Sequence, residues 1–347
     1  MKERIQWIDT AKFLAIFAVY LGHMREVAGS SYSFVFYYHV PLFFFLSGCT
    51  SNFDTNPNFI AFVIKKVKTI LLPFYVFSFL SIIIETLYKG YALDSVIYCI
   101  NVVLRGNIRN IFIAPGLWFF SCLFVVEIVF KLIKYLKNRW LILIACTLLH
   151  LFYQLVIAPL WAPMPAWPYN VDSACYHIIF YGIGYVMYPY IVKLFRLDSL
   201  KKKVLFGSLG LISAIYAILI FYGIDYIDSL FAKNYTLSIF TALAKILILI
   251  WFNLSLAKVF EKVELFNKIG KETLYLCGNE YIISCLVTNL LLIFGIILTP
   301  YTPLSTYVYT FVSLLIGIKI IIPFEKSILK SMKAQFTTTT PKKEENK

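Results

Sequence analysis

The sequence predicts an all-α membrane protein of about ten transmembrane helices with both termini in the cytoplasm, and three observations carry that prediction. The 347 residues are 60% hydrophobic and 18% aromatic, with a mean hydropathy of +0.78. Only 14% of them are charged, against about 25% in soluble domains. Ten apolar runs approach the roughly 20 residues that a helix needs to cross a bilayer. They lie at 8–24, 34–50, 69–87, 117–133, 140–158, 176–195, 204–222, 237–257, 275–298 and 306–324. With the N-terminus inside, 24 of the 32 Lys and Arg residues are cytoplasmic, five are outside, and Lys12, Lys245 and Lys319 lie within spans. That asymmetry is the positive-inside rule, and an error in span number would scramble it. The net charge of +14 therefore records topology, and nucleic-acid binding is excluded.

Each element follows in order. Span one comes after Lys2 and Arg4, as a signal peptide would, but Asp9 and Lys12 interrupt its apolar core. Met24-Arg25-Glu26 is a poor cleavage region, so the segment reads as a retained span. The outer loop at about 25–33 is short, which makes spans one and two antiparallel neighbours. Span two opens with YYHVP, where Pro41 removes a helix hydrogen bond and frees the Tyr37 carbonyl. Ser47-Gly48 marks a second weak point, so a broken or tilted helix facing protein or a wet cavity is expected. Lys65, Lys66 and Lys68 stand directly before TILLPFY, the start of span three. The stretch 92–104 is shorter and interrupted by Asp94 and Asn101, and fits an interfacial helix. APGLWFF then places a Pro-Gly break before span four, which holds Glu127.

The outer loop 159–175, PLWAPMPAWPYNVDSAC, carries four prolines and two tryptophans. It predicts an ordered aromatic lid, whose tryptophans are read first as interface anchors. Span nine carries Asn279 and Glu280 one to two turns inside. The tail ending TTTTPKKEENK is expected to be disordered, which divides the chain into a membrane domain, 1–324, and a basic cytoplasmic tail, 325–347. The seven cysteines lack metal-type spacing and are expected as free buried thiols, although Cys99 and Cys175 both fall near the outer face. No metal site is expected.

Ionisable residues inside a membrane are costly and are functional candidates by default. Lys12 and His23 are eleven residues apart, so on a helix they share one face about 16.5 Å apart along the axis. Asp9, three residues before Lys12, is expected to hold it by a local ion pair. Glu127 and Glu280 must be paired or protonated in their spans. His39 stands at a helix end before Pro41, where capping the backbone and contacting a substrate are equally open.

Several of these features together resemble the acyltransferase-3 family of bacterial integral-membrane O-acyltransferases. Asp9, Lys12 and His23 match its opening aspartate, basic residue and histidine, and HVPLFFFLSG from His39 to Gly48 matches its second motif. Lys65, Lys68 and LLPFY match its basic pair, Leu117-Trp118-Phe119 its Leu-Trp-Phe element, and Gly270, Thr273 and Leu274 its motif near span nine. Lysine replaces the commoner arginine at position 12, and Asn279-Glu280 stands where many members carry a histidine. No counterpart of the extra extracytoplasmic domain of larger relatives is expected.

The resemblance implies a multi-pass protein of the bacterial plasma membrane. It implies an acyl-CoA donor, most often acetyl-CoA as cosubstrate, and a carbohydrate hydroxyl as acceptor. A sugar hydroxyl is a poor nucleophile and gains most from a positioned base. His23 is the choice for that base, an acyl-histidine intermediate being the other route. Lys12 would bind the pantetheine arm or polarise the thioester oxygen. His39 would orient the acceptor, while Asp9, Glu127 and Glu280 support. Lys65 and Lys68 suit the CoA phosphates, with Trp118 as a further donor contact. Ser47 lacks the Gly-x-Ser-x-Gly elbow of a nucleophile. A transporter or flippase for a glycan or lipid-linked precursor is the competing reading, weakened because no second half echoes the polar motifs of spans one and two. Homo-oligomerisation is left open.

Overall fold

The computed structural model describes residues 4–51, 58–109, 114–161, 167–225, 234–296 and 303–327. Among these, every regular element is helical. Eight helical stretches are long and apolar enough to cross a membrane, from Ser30–Thr50 to Leu304–Ser327, and the chain is a multi-pass, all-α membrane protein. They match eight of the ten expected segments. The first expected segment is α1, Gln6–His23, whose Asp9 and Lys12 keep it below the apolarity of the others. The ninth is divided. A short helix, Thr273–Gly278, gives way at Asn279 (φ −98°, ψ 6°) to a 14-residue apolar helix, Glu280–Ile293.

Helix α1 is the axis of the bundle. Its 18 residues span about 27 Å, and 13 of them are buried, Asp9 and Thr10 included. It is followed by α2, Ser30–Phe36, and α3, His39–Thr50. The break expected in span two lies at Tyr37-Tyr38, and Pro41 sits in the first turn of α3, where a missing N–H costs nothing. Gly48, expected to weaken that span, instead lies in regular helix. A methyl on it would stand 2.0 Å from the Tyr181 carbonyl oxygen, and one on Gly184 would stand 2.1 Å from that of Phe45. Both contacts join α3 to a long helix, Val171–Phe195. Paired glycines let the two backbones touch, the small-residue packing that replaces hydrophobic attraction inside a bilayer.

Helices α4, Phe59–Lys66, and α5, Leu72–Lys89, form one continuous span through a π-helical turn at Val67–Leu71. Similar turns occur at Tyr153–Ile157 and Gly317–Ile321. Each lies just before a proline (Pro73, Pro159 and Pro323) and contains the residue four positions earlier, whose carbonyl the proline ring would meet. Widening the turn lets the helix continue, so the last helix runs through Pro323 to Ser327 and past the expected domain edge at 324. The segment 328–347, expected to be disordered, lies outside the described residues.

The remaining helices are α6, Leu93–Arg105; α7, Trp118–Ile133; α8, Arg139–Phe152; α9, Ala158–Trp161; and α10, Val171–Phe195. Then come α11, Leu200–Phe221; α12, Tyr235–Val259; α13, Glu264–Lys271; α14, Thr273–Gly278; α15, Glu280–Ile293; and α16, Pro303–Ile316. The 13 residues of α6 are too few to cross. Part of the expected aromatic lid, 162–166, falls outside the described residues. Its described end is anchored: Asn170, in a left-handed turn (φ 54°), donates to the Gly106 carbonyl at 3.0 Å and to Ser121 Oγ at 2.7 Å. All seven cysteines are free thiols.

Candidate functional site

Two cavities lie at opposite ends of α3. At its His39 end is a large one of about 1290 Å³, lined among others by His23, His39, Trp118, His177 and Glu280. At its Thr50 end is one of about 240 Å³, lined by Ser47, Thr50, Ser51, Phe62, Lys65, Lys66 and Glu127. The 12 residues of α3 separate them by about 17 Å.

In the large cavity, His23 closes α1 and Glu280 opens α15. His23 Nδ1 stands 2.9 Å from Glu280 Oε2, with the histidine side chain 21% exposed and the carboxylate 6%. The two are close but not in line for an ideal hydrogen bond. The other carboxylate oxygen accepts from Ser284 Oγ at 3.2 Å. The N-terminal end of α15 also favours a negative charge there. One turn earlier on α1, Tyr20 donates to the Leu276 carbonyl at 2.8 Å, fixing α1 against α14 just ahead of Glu280. A 3₁₀ turn at Pro115–Leu117 presses on the same pair. A methyl on Gly116 would lie 3.3 Å from His23 Cε1 and 3.9 Å from Glu280 Oε2. With Nδ1 facing a carboxylate at ion-pair distance, Nε2 is the ring nitrogen left for a proton acceptor's work.

At the other end of α1 the expected Asp9–Lys12 pair is not formed. Asp9 is instead gripped by Arg4, whose Nε and Nη2 reach its two oxygens at 2.7 and 3.0 Å. The planar guanidinium fork matches a carboxylate better than a lysine three residues along the helix does. Arg4 precedes the span, and its hydrogen bond to Asp9 raises its pKa. Gly270 packs over this end, where a methyl would sit 1.8 Å from the Asp9 carbonyl oxygen. Half-buried Lys12 makes no ion pair among the described residues. Its charge lies within electrostatic reach of Cys49 on α3.

His39 Nδ1 donates to the Val35 carbonyl at 2.7 Å, closing the end of α2 across the Tyr37-Tyr38 break. That contact resolves one of its two open roles, yet the residue also lines the large cavity. In the small cavity, Lys66 Nζ is 2.9 Å from Glu127 Oε1, and Lys65 shares the lining. Lys68 is exposed and is not part of that lining. Trp118 lines the large cavity rather than the lysine-rich one. Of the residues expected from sequence, His23, His39, Trp118 and Glu280 therefore come together at one end, and Lys65 and Glu127 at the other.

Gly116, Arg109 and His177 also reach the large cavity or its dyad and were not singled out from sequence. The Pro-Gly break in APGLWFF was the one signal for Gly116. Among the described residues, no three His, Cys, Asp or Glu side chains are grouped to hold a metal ion.

A family profile described as an acyltransferase domain matches residues 5–322. No curated protein and no solved structure matches the chain.

Proposed function

The chain belongs to the acyltransferase-3 family, and from that premise we propose that it transfers an acyl group, in the first instance acetyl, from acyl-CoA to a hydroxyl of a surface carbohydrate or glycan precursor. The observation that carries the proposal is the 2.9 Å contact between His23 Nδ1 and Glu280 Oε2 on the wall of the large cavity. Glu280 keeps the ring proton on Nδ1 and stabilises the imidazolium that forms, which is how a carboxylate serves a catalytic histidine elsewhere.

The reaction runs in two steps. His23 Nε2 takes the acceptor hydroxyl proton as the oxygen attacks the thioester carbonyl carbon. The carbon–sulfur bond breaks, and the CoA thiolate leaves with the proton from His23, giving an ester and free CoA. Lys65 and Lys66, at the small cavity, suit the phosphates of a donor arriving from the cytoplasm. Lys12, on the same helix as His23 and without an ion pair among the described residues, would offer its charge to the pantetheine arm of the donor. The acceptor enters the large cavity from the opposite side of a bacterial plasma membrane.

The test is transfer of label from acetyl-CoA to purified host surface polysaccharide by membranes carrying wild type or His23→Ala at matched expression. Label on the polysaccharide that depends on His23 supports the reading. Wild-type membranes that export glycan but leave it unlabelled would move the assignment to a transporter.

A further inference from the structure

The large cavity has a second polar centre beside the His23–Glu280 pair. His177, on α10, is 8% exposed, and its Nδ1 has no hydrogen-bond partner among the described residues. Its ring stacks on Phe44 at 4.6 Å with an interplanar angle of 9°, and Trp118 lies 5.8 Å away. Tyr176 stands at 90° to it at 4.8 Å. The stacking fixes the imidazole plane, so its nitrogens cannot turn away to find another partner.

Arg109 lines the same cavity. It is held in place by Asp172 and Ser173, both of which accept from its terminal nitrogens. Its Nε is nonetheless buried without a partner among the described residues. The two other buried histidines, His39 and His150, differ from His177, since His39 Nδ1 is bonded to the Val35 carbonyl. His150 on α8 satisfies its Nδ1 on the Tyr176 carbonyl at 2.7 Å, as buried polar groups usually do. Leaving a buried donor or acceptor unsatisfied is costly, and His177 Nδ1 and Arg109 Nε, like His23 Nδ1, belong to residues that line the large cavity, where a ligand would supply the partner.

We propose that His177 and Arg109, with Trp118 and Tyr176 as flat apolar walls, form a carbohydrate subsite that holds the acceptor while His23 acts on it. The inference rests on the acyltransferase reading above and deepens it. A pyranose presents C–H faces that lie against aromatic rings and hydroxyls that both donate and accept. Arg109 Nε supplies a donor, and the His177 imidazole supplies a donor or an acceptor according to which nitrogen carries the proton. A simple alkyl alcohol would fill the aromatic walls and leave the polar pair unsatisfied. Sites built around buried hydrogen-bonding groups reject analogues that lack the matching hydroxyl.

Acetyl transfer is measured against acceptor concentration, with purified host surface polysaccharide as the probe and 1-octanol as the non-sugar alcohol. His177→Phe keeps the ring stack and removes both nitrogens, and is expected to raise the polysaccharide KM about tenfold, the worth of one good hydrogen bond. That rise should exceed the fall in kcat. His177→Gln, which restores a donor and an acceptor, should recover part of the loss. Arg109→Lys keeps the charge facing Asp172 but loses Nε, and is expected to raise the same KM even if His177→Phe fails to fold. An unchanged polysaccharide KM in both His177→Phe and Arg109→Lys overturns the subsite while leaving the transferase reading intact. Octanol acetylated as efficiently as the polysaccharide would overturn it too. Wild-type protein that labels no acceptor overturns the reading on which the subsite rests.

Discussion

Replacing Glu280 by glutamine isolates what its charge does for His23. The side chain keeps its size, and its amide can still accept from Ser284 Oγ, now 3.2 Å from the carboxylate, or from His23 Nδ1, now 2.9 Å away. What is lost is the attraction between a carboxylate and the imidazolium formed as the hydroxyl proton is taken. With the charge centres about 4 Å apart and an effective dielectric near 20, that attraction is about 4 kcal/mol for full charges. A transition state with about half the proton transferred forgoes about 2 kcal/mol, or roughly 30-fold in rate. Glu280→Gln should therefore lower kcat roughly 30-fold with little change in the KM for polysaccharide or acetyl-CoA. Initial rates of acetyl transfer in proteoliposomes with matched protein supply the measurement. His23→Ala should cost far more, and adding Glu280→Gln to it should cost nothing further, because the carboxylate acts only through the ring. A Glu280→Gln enzyme within threefold of wild type, or a double variant weaker than His23→Ala, would refute the reasoning.

Other consequences are simpler. Gly116→Ala should lower kcat about tenfold without loss of folded protein, since its methyl would press to 3.3 Å on His23 Cε1 and displace the dyad by a fraction of an ångström; thermal melting in detergent controls for stability. Gly48→Ala should behave in the opposite way. Its methyl would meet the Tyr181 carbonyl at 2.0 Å, so the melting temperature and folded yield should fall by the equivalent of about 2 kcal/mol, within the usual cost of overpacking. Lys65→Glu at the small cavity should raise the KM for acetyl-CoA about tenfold, the effect of about 1.4 kcal/mol, and leave the polysaccharide KM alone. An unchanged donor KM would remove the phosphates from that cavity.

Much of the helical architecture was legible because hydropathy reports directly on the bilayer. Lys12 and His23 could be placed on one stripe from spacing alone, as they share a helix. Glu280 was marked as needing a partner, but its partner is 257 residues away and emerges only when α15 packs against the end of α1. Asp9 shows where local rules mislead. Helical spacing favoured Lys12, whereas the bidentate fork of Arg4, lying before the helix, took the carboxylate. Pro73 and Pro323 fell inside expected spans and Pro159 directly after one, but hydropathy carries no sign of the π-helical turns that let the helices continue through them. Gly48 looked like a weak point because a single sequence does not show which backbone will lie against it. His177 was one of four histidines, distinguished only by its unsatisfied nitrogen and stacked ring.

The most direct test of the central claim uses sealed proteoliposomes with labelled acetyl-CoA trapped inside and purified surface polysaccharide outside. The protein must be oriented with its lysine-rich cavity facing the lumen. Wild-type protein should place label on the external polysaccharide, and His23→Ala, present in equal amount, should place none. Equal labelling by the two proteins, or labelling only when donor and acceptor share one side, would contradict a His23-centred transfer between the two cavities.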